Sequence, residues 1–569
     1  MTTDERALAT WLSARADAEL TETFALRSVS ASTSWHDFFD AAAGLLDAAS
    51  VDRALTRLPR SALAALASGS GADRPELSRM ALVDENGAPY AAVAERVAVA
   101  KATAPAAFEA RADASAPPPA DDPAAAAAAE RVLATTGALA DLLIATQHTP
   151  LSRTGTGTVS AVDRKRLVEA GAVATPEDLD DLVQAADAAG LLESPDREWV
   201  ASEAADEWLE APTTVRWSRV VEGFRAALRP GLRTAAGGYL APAEWATAYP
   251  LDPEWDAEAV RLERIAVRWG LVTPDGAEPR WAAPLRAGAA PDAASLAALL
   301  PAEIDRVYLQ ADLSAIAPGP LAPALDLRLR RIAVRESRAQ ASTYRFTSDS
   351  LGAGMTEGET AESIRDFLAR LSLTGIPQPL EYLLASTASR HGLVRVRVGE
   401  HGNTVVESAD PSVLGSIAVD QALRPLGLVQ DGAALVTRVS RDVVYWSLAD
   451  ARYPVVAMGP AGDPESVSRR RRAGAAVAET DARPFAALLS RLRDTHETDA
   501  DAAWLGRELE QAVRARSVIH VAVHLPDGSE RTFTLEATGL GGGRLRGRDR
   551  GADIERTLPV SSIVSVKPA

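Results

Sequence analysis

The stretch TPEDLDDLVQAADAAGLLESPDREWV, Thr175 to Val200, opens on a helix cap and closes on a hairpin. Thr175 offers an N-cap oxygen ahead of Pro176 at the first helical position. The helical run ends at Gly190, a residue suited to the left-handed position just past a helix. Two aliphatics follow, Leu191 and Leu192. Pro195-Asp196 then turns the chain back into Trp199. A helix, a glycine stop and a hairpin in that order form one packed unit.

The same order recurs three more times. Ala81-Leu82-Val83 precedes Asn86-Gly87 and Tyr90; Gly270-Leu271-Val272 precedes Pro274-Asp275-Gly276 and Trp281; Gly427-Leu428-Val429 precedes Asp431-Gly432 and Leu435-Val436. Asp252-Pro253 and Asp410-Pro411 repeat the capped start of Thr175-Pro176. Cap, helix, glycine, hairpin is the order of a winged helix, and the irregular spacing excludes a solenoid. Four unrelated helix–hairpin junctions are the alternative. Further on, Ile519, Val521, Val523 and Leu525 alternate with His520, Ala522 and His524, and Pro526-Asp527-Gly528 turns the chain into Phe533 and Leu535. That pattern predicts a half-buried hairpin; further strands around 544–548 and 563–566 would make a small barrel or curled sheet.

The predicted fold class is therefore α+β and multi-domain: tandem winged-helix modules, a central α/β module and a small C-terminal β-barrel-like domain. The expected boundaries are a helical or winged-helix domain at 1–111, a Pro/Ala/Asp-rich linker at 112–125 and winged-helix domains at 126–230 and 231–296. The α/β module follows at 297–458, an Arg-rich loop at 459–475, a helical segment at 476–516 and the small β-domain at 517–569. A chain of 569 residues accommodates several such cores.

Composition excludes much chemistry. There is no cysteine, hence no disulfide, thiolate–zinc site, iron–sulfur cluster or cysteine nucleophile, and a reducing compartment is expected. No signal-like or membrane-spanning run is evident, so the expected setting is cytoplasmic, with no membrane partner. The net charge of −18 would repel a phosphate backbone, so any nucleic-acid contact needs a local basic patch.

A P-loop requires a lysine between glycine and Ser or Thr. The three lysines, Lys101, Lys165 and Lys567, are followed by Ala102, Arg166 and Pro568, so none qualifies. Gly155-Thr156-Gly157 has Ser160 where a dinucleotide fingerprint needs its third glycine. No nucleophile elbow occurs, and His496-Glu497 lacks the second histidine of a zinc hydrolase. His520 and His524, about 13 Å apart on a strand, are placed as solvent-facing residues. No cofactor, metal or catalytic residue is expected.

The candidate binding residues are arginines. A helix from Ala322 to Arg338 would pack Leu325, Leu329 and Ile332 and gather Arg328, Arg331, Arg335 and Arg338 within an arc of roughly 80°. Arg261, Arg264 and Arg268 line the helix before the third wing, where a winged helix carries its recognition surface. The helix before the second wing carries Glu177, Asp178, Asp180, Asp181 and Asp187 and would be repelled by phosphates. Arg469, Arg470, Arg471 and Arg472 form a basic run in the exposed loop. Each set fits nucleic acid or an acidic partner; each also fits a solvated face paired with acids such as Glu336, Glu258 and Glu263.

The segment DRVYLQADLSAIAPGP (305–320), with Thr343-Tyr344-Arg345-Phe346-Thr347, Ser350-Leu351 and Ile376-Pro377-Gln378-Pro379-Leu380-Glu381-Tyr382-Leu383, resembles bacterial helicase-associated proteins that share the N-terminal domain of XPB-type helicases. The resemblance spans roughly residues 297 to 455, and Trp199, Trp208-Leu209-Glu210-Ala211-Pro212 and Trp217 resemble the region before it. It implies an α/β module outside the ATPase lobes, DNA or an XPB-type helicase as partner, and a non-catalytic accessory role in DNA metabolism or repair. It brings no catalytic residue. Arg556-Thr557-Leu558-Pro559-Val560 with Ile563-Val564 is faintly similar to WYL-type domains, without their Trp-Tyr-Leu signature. A second expectation follows from it: a winged-helix transcriptional regulator whose C-terminal domain senses a ligand. An enzyme with a site built from scattered residues is the third.

Overall fold

The computed structural model describes residues 3–110, 116–169, 171–338, 341–399, 402–459, 462, 464–465, 485–525 and 529–568. Arg469 to Arg472 and the turn at 526–528 lie outside them.

Among the described residues, seven α-helices build the N-terminal unit: α1 (Thr3–Ser13), α2 (Asp17–Leu26), α3 (Phe38–Leu46), α4 (Ala48–Leu55), α5 (Arg60–Ser68), α6 (Pro75–Arg79) and α7 (Ala91–Thr103). Phe24, Phe38, Leu45, Leu63 and Leu82 meet in its core. The expected first hairpin contracts to one antiparallel bridge, Val83 with Pro89. Arg27 is buried there, donating to the Met80 carbonyl and Ser50 Oγ, each at 2.9 Å. Burial pulls its guanidinium down to about 10.

The next unit opens with the long α8 (Asp122–His148), whose N-cap Asp121 accepts from the Ala124 N–H. After it come β1 (Leu151–Ser152), α9 (Ala161–Glu169), α10 (Pro176–Ala188), β2 (Leu192–Glu193) and β3 (Glu198–Ala201), the strands ordered β1-β3-β2 and antiparallel. Every device read from residues 175–200 forms. Thr175 Oγ1 caps the Asp178 N–H at 3.1 Å, and Gly190 takes a φ of +67°.

Helices α11 (Glu203–Glu210), α12 (Thr213–Ala227), α13 (Trp255–Arg268), α14 (Ala283–Arg286) and α15 (Ala293–Ala297) continue the chain. Their buried tryptophans, Trp217, Trp245, Trp255, Trp269 and Trp281, join the α8–β3 residues in one continuous core from Ala125 to Leu296, which Leu327 also joins. The core thus runs through the boundary expected at residue 230. The third hairpin departs from expectation: the Thr273 N–H closes a turn on the Ala277 carbonyl at 2.8 Å, but among the described residues no strand follows before Tyr308. Pro279 has no N–H to give a ladder. Glu278, just before it, pairs instead with the incoming linker, exchanging hydrogen bonds with Pro118 and Ala120.

The central module has two lobes with separate cores. The first contains β4 (Tyr308–Leu309), β5 (Ser314–Ala317), α16 (Pro323–Ile332), β6 (Val334–Arg338), β7 (Ser342–Arg345), α17 (Ser348–Thr356), α18 (Ala361–Leu371) and α19 (Gln378–Arg390), with sheet order β4-β5-β7-β6. The second contains β8 (Val394–Val398), β9 (Thr404–Ser408), α20 (Pro411–Val419), β10 (Val429–Asp431), β11 (Ala434–Thr437), α21 (Arg441–Asp450), β12 (Val455–Met458) and β13 (Pro464–Glu465), with order β10-β11-β9-β8-β12-β13. The fourth hairpin forms here as β10–β11, joined to a six-stranded sheet. Gly427, at φ +58°, follows a 3-10 helix (Gln421–Leu426).

A 30-residue helix, α22 (Ala486–Ala515), leads to β14 (Val518–His524), β15 (Glu530–Gly541), β16 (Arg544–Asp549), β17 (Ile554–Pro559) and β18 (Ile563–Pro568). These strands form an antiparallel sheet in the order β17-β16-β15-β14-β18. The expected barrel does not close. Strands β17 and β18, joined by a single 3-10 turn at Val560–Ser562, remain the two edges. His520 and His524 lie on the exposed face of β14, as expected.

Candidate functional site

The arginine set at 322–338 is divided by the fold. Helix α16 ends at Ile332, Ala333 is extended (φ −144°, ψ 151°), and residues 334–338 form an edge strand on β7. Arg335 and Arg338 are therefore strand residues, and the single helical face expected for the four arginines does not exist. The β-branched Val334 and the pairing demand of β7 override the helical period.

The described side chains of this set face carboxylates. Arg328 makes a bidentate pair with Glu359 at 2.8 and 2.9 Å and lies over the Phe367 ring. Its hydrogen bonds hold the Glu359 carboxyl below the usual glutamate range. Arg331 is half-buried beside the same pair. Arg335 and Arg330, the latter outside the expected set, converge on Asp141 of α8, Arg330 at 2.8 Å. Tyr344 donates to Asp326 at 2.5 Å next to them. This cluster joins the central module to the helical unit before it.

Arg261, Arg264 and Arg268 do line one face of α13, as expected, but that face packs on α10. Arg264 holds Asp181 bidentately at 2.6 and 2.8 Å. Arg268 pairs with Asp178, and Arg261 reaches Gln184 and Glu258, each at 2.5 Å. The Asp181 side chain is 2% exposed. The acidic helix and the basic stripe, read as separate surfaces, neutralise each other. The geometry explains the choice of arginine: its planar fork satisfies both oxygens of a buried carboxylate, which a lysine ammonium cannot.

Trp208-Leu209-Glu210-Ala211-Pro212 forms a corner locked by the buried Arg216, which donates to the Trp208 and Leu209 carbonyls while Trp208 Nε1 returns a bond to the Arg216 carbonyl at 2.9 Å. Burial lowers the Arg216 guanidinium to about 10.

Between the lobes of the central module, α17, α19 and α21 enclose a cleft of about 620 Å³, lined by Asp349, Glu357, Thr387, Arg390, His391, Trp446, Arg452 and Tyr453 among others. Tyr445 spans the junction, donating to the Thr356 carbonyl at 3.0 Å; burial pushes its phenol up to about 12. Burial also lowers the His391 imidazole. Thr387 Oγ1 is buried in the wall without a hydrogen-bond partner. Sequence patterning gave no signal for this cleft, because its lining comes from helices up to a hundred residues apart. Among the described residues, no group of three His, Asp or Glu side chains could hold a metal ion, and no helix is long and apolar enough to cross a membrane.

The central module is helicase-related: residues 307–431 match a family of protein domains. That family is described as the helicase conserved C-terminal domain. The matched segment takes in all of the first lobe and runs into the second as far as β10. No curated protein matches the chain.

Proposed function

We propose that this chain is a non-catalytic, helicase-associated accessory protein of DNA metabolism or repair, which engages DNA, an XPB-type helicase, or both through its central module. The observation that carries the reading is the helicase-family match at 307–431 in a chain with no P-loop lysine. Strand movement by the complex would draw on nucleotide hydrolysis in another polypeptide.

The flanking units fit docking. The order α8-β1-α9-α10-β2-β3 with sheet order β1-β3-β2 supports reading this unit as a winged helix. Its α10 occupies the recognition position, yet α10 is acidic and covered by α13. The regulator reading is correspondingly weaker, since α13 could reach a major groove only by surrendering Asp178 and Asp181.

The test uses the purified full chain. It should hydrolyse no ATP, with or without DNA, and crosslinking in lysate of its source cells should join residues of 307–431 to a helicase motor. Hydrolysis by the chain alone overturns the proposal. So does a set of 307–431 crosslinks that contains neither a helicase nor DNA.

A further inference from the structure

The arginine stripes of α13 and α16 are met by carboxylates; the C-terminal sheet presents a row of which two arginines are not. Strand β16 alternates strictly, Leu545, Gly547 and Asp549 buried, Arg544, Arg546 and Arg548 exposed. The register sets Arg544 between Gly541 and Pro559, and Arg546 between Gly539 and Thr557. Neighbours across an antiparallel pair share a face, so each of these two arginines is flanked by a glycine and a small or uncharged residue.

A Cβ built on Gly539 or Gly541 would meet nothing within 4 Å. The sheet is therefore bare beside the guanidinium groups, open to close approach by a ligand backbone. Arg544 and Arg546 have no ion-pair partner among the described residues. Carboxylates enter only at the far end: Arg548 pairs with Asp553 at 2.8 Å and faces Glu555, and Arg550 pairs with Glu536 at 2.9 Å. At that end the face crosses Thr534 to His520 and Lys567, which are register partners.

We propose that the outward face of β15–β16, led by Arg544 and Arg546, binds the phosphodiester backbone of single-stranded nucleic acid. This supplies a surface for the accessory role proposed above, and rests on that reading only in taking nucleic acid as the partner. Exposed side chains on one strand repeat about every 7 Å, of the order of the step between successive phosphates in an extended single strand. A single row suits one backbone, whereas a duplex offers two, across a groove. Among the described residues the face has no exposed aromatic side chain for base stacking, so binding is led by phosphate, indifferent to sequence and steeply salt-dependent. The chain's net charge of −18 would repel the strand from the rest of the surface.

The experiment is fluorescence anisotropy with the full chain and a labelled oligothymidylate of about 20 nucleotides, longer than the ~4–16 nucleotides of common single-strand sites. Wild type binds at low salt. The double variant Arg544→Ala/Arg546→Ala binds about tenfold more weakly or worse, with a log–log salt slope shallower by about 0.7 per arginine. Arg544→Lys/Arg546→Lys keeps the slope. Arg79→Ala, which removes an exposed pair with Glu22 in the N-terminal unit, changes nothing. Ultraviolet crosslinking of wild type to the same oligonucleotide maps to the peptide 539–550, a readout independent of how the variants fold.

Equal binding by the alanine variant, no binding by wild type, crosslinks confined to other peptides, or stronger binding to a duplex of the same length or to phosphatidylserine vesicles each overturns the proposal. None of these touches the helicase crosslinks of 307–431, so the two readings fail separately.

Discussion

Arginine is the residue through which this protein does most of its internal work, and pairing decides what each one can do outside. Arg328 shows this. Both members of its pair with Glu359 are largely sheltered, at 31% and 14% side-chain exposure. Because Glu359 titrates lower in the folded chain than an ordinary glutamate, the folded state resists its protonation. The stabilisation is complete above the unfolded glutamate range, near pH 4.3, and disappears as pH falls through the lower folded value. Arg328→Met should cost about 1 kcal/mol at neutral pH and flatten the fall in melting temperature on the acid side; a wild-type acid limb in the variant would refute the assignment. The α13 stripe teaches the complementary lesson. Its spacing was legible in the sequence, as was the acidity of α10, but their partnership was not, since Arg264 and Asp181 lie 83 positions apart. Only the packing of two helices of opposite charge says that each stripe serves the other.

At the scale of elements, local signals decide the structure where they act alone and yield where a distant strand competes. The cap at Thr175, the stop at Gly190 and the β10–β11 hairpin formed because each device is complete within a few residues. Helix α16 ends early because β7 claims residues 334–338, and after Val334 the polar string Arg335-Glu336-Ser337-Arg338 lacks the alternation that announces an edge strand. The third hairpin yielded to the linker at Pro118–Ala120. Two glycines at helix ends separate the conformational from the steric share of such stops. Gly190 (φ +67°) has open space where a Cβ would stand, while a Cβ on Gly270 (φ +63°) would lie 2.6 Å from Val132 Cγ2. Gly190→Ala should therefore cost only the left-handed penalty, roughly 1–2 kcal/mol. Gly270→Ala adds the displacement of Val132 in the tryptophan-lined core, about 1–3 kcal/mol more. Urea denaturation of the two variants checks the order, and equal losses would show that α8 gives way freely.

Over the whole molecule, the chain closes on itself through α22. Phe485, Leu488, Leu489 and Leu492 complete the N-terminal core, and Leu509 and Ala512 belong to the core under the C-terminal sheet. Arg493 adds polar ties, lying over the Phe38 ring and donating to the Ser13 carbonyl at 2.6 Å; Arg6 pairs with Glu508 at 3.1 Å. Expected as a helical segment at 476–516, α22 is a strut between two domains, and no pattern inside it reveals the partner of either end. At 1.5 Å per residue its 30 residues span about 45 Å, so the basic face of β15–β16 is carried on a bracket anchored to residues 3–108. Leu492 is wholly buried in that anchor, and Leu492→Ala should cost about 2–5 kcal/mol. Hydrogen exchange places the loss: faster exchange should appear in α1 to α3, more than four hundred residues earlier in the chain, while β8, β9 and β12 of the central module keep their protection. Acceleration confined to α22 itself would mean that the N-terminal core stands without it, and that the C-terminal sheet hangs on a tether instead of a strut.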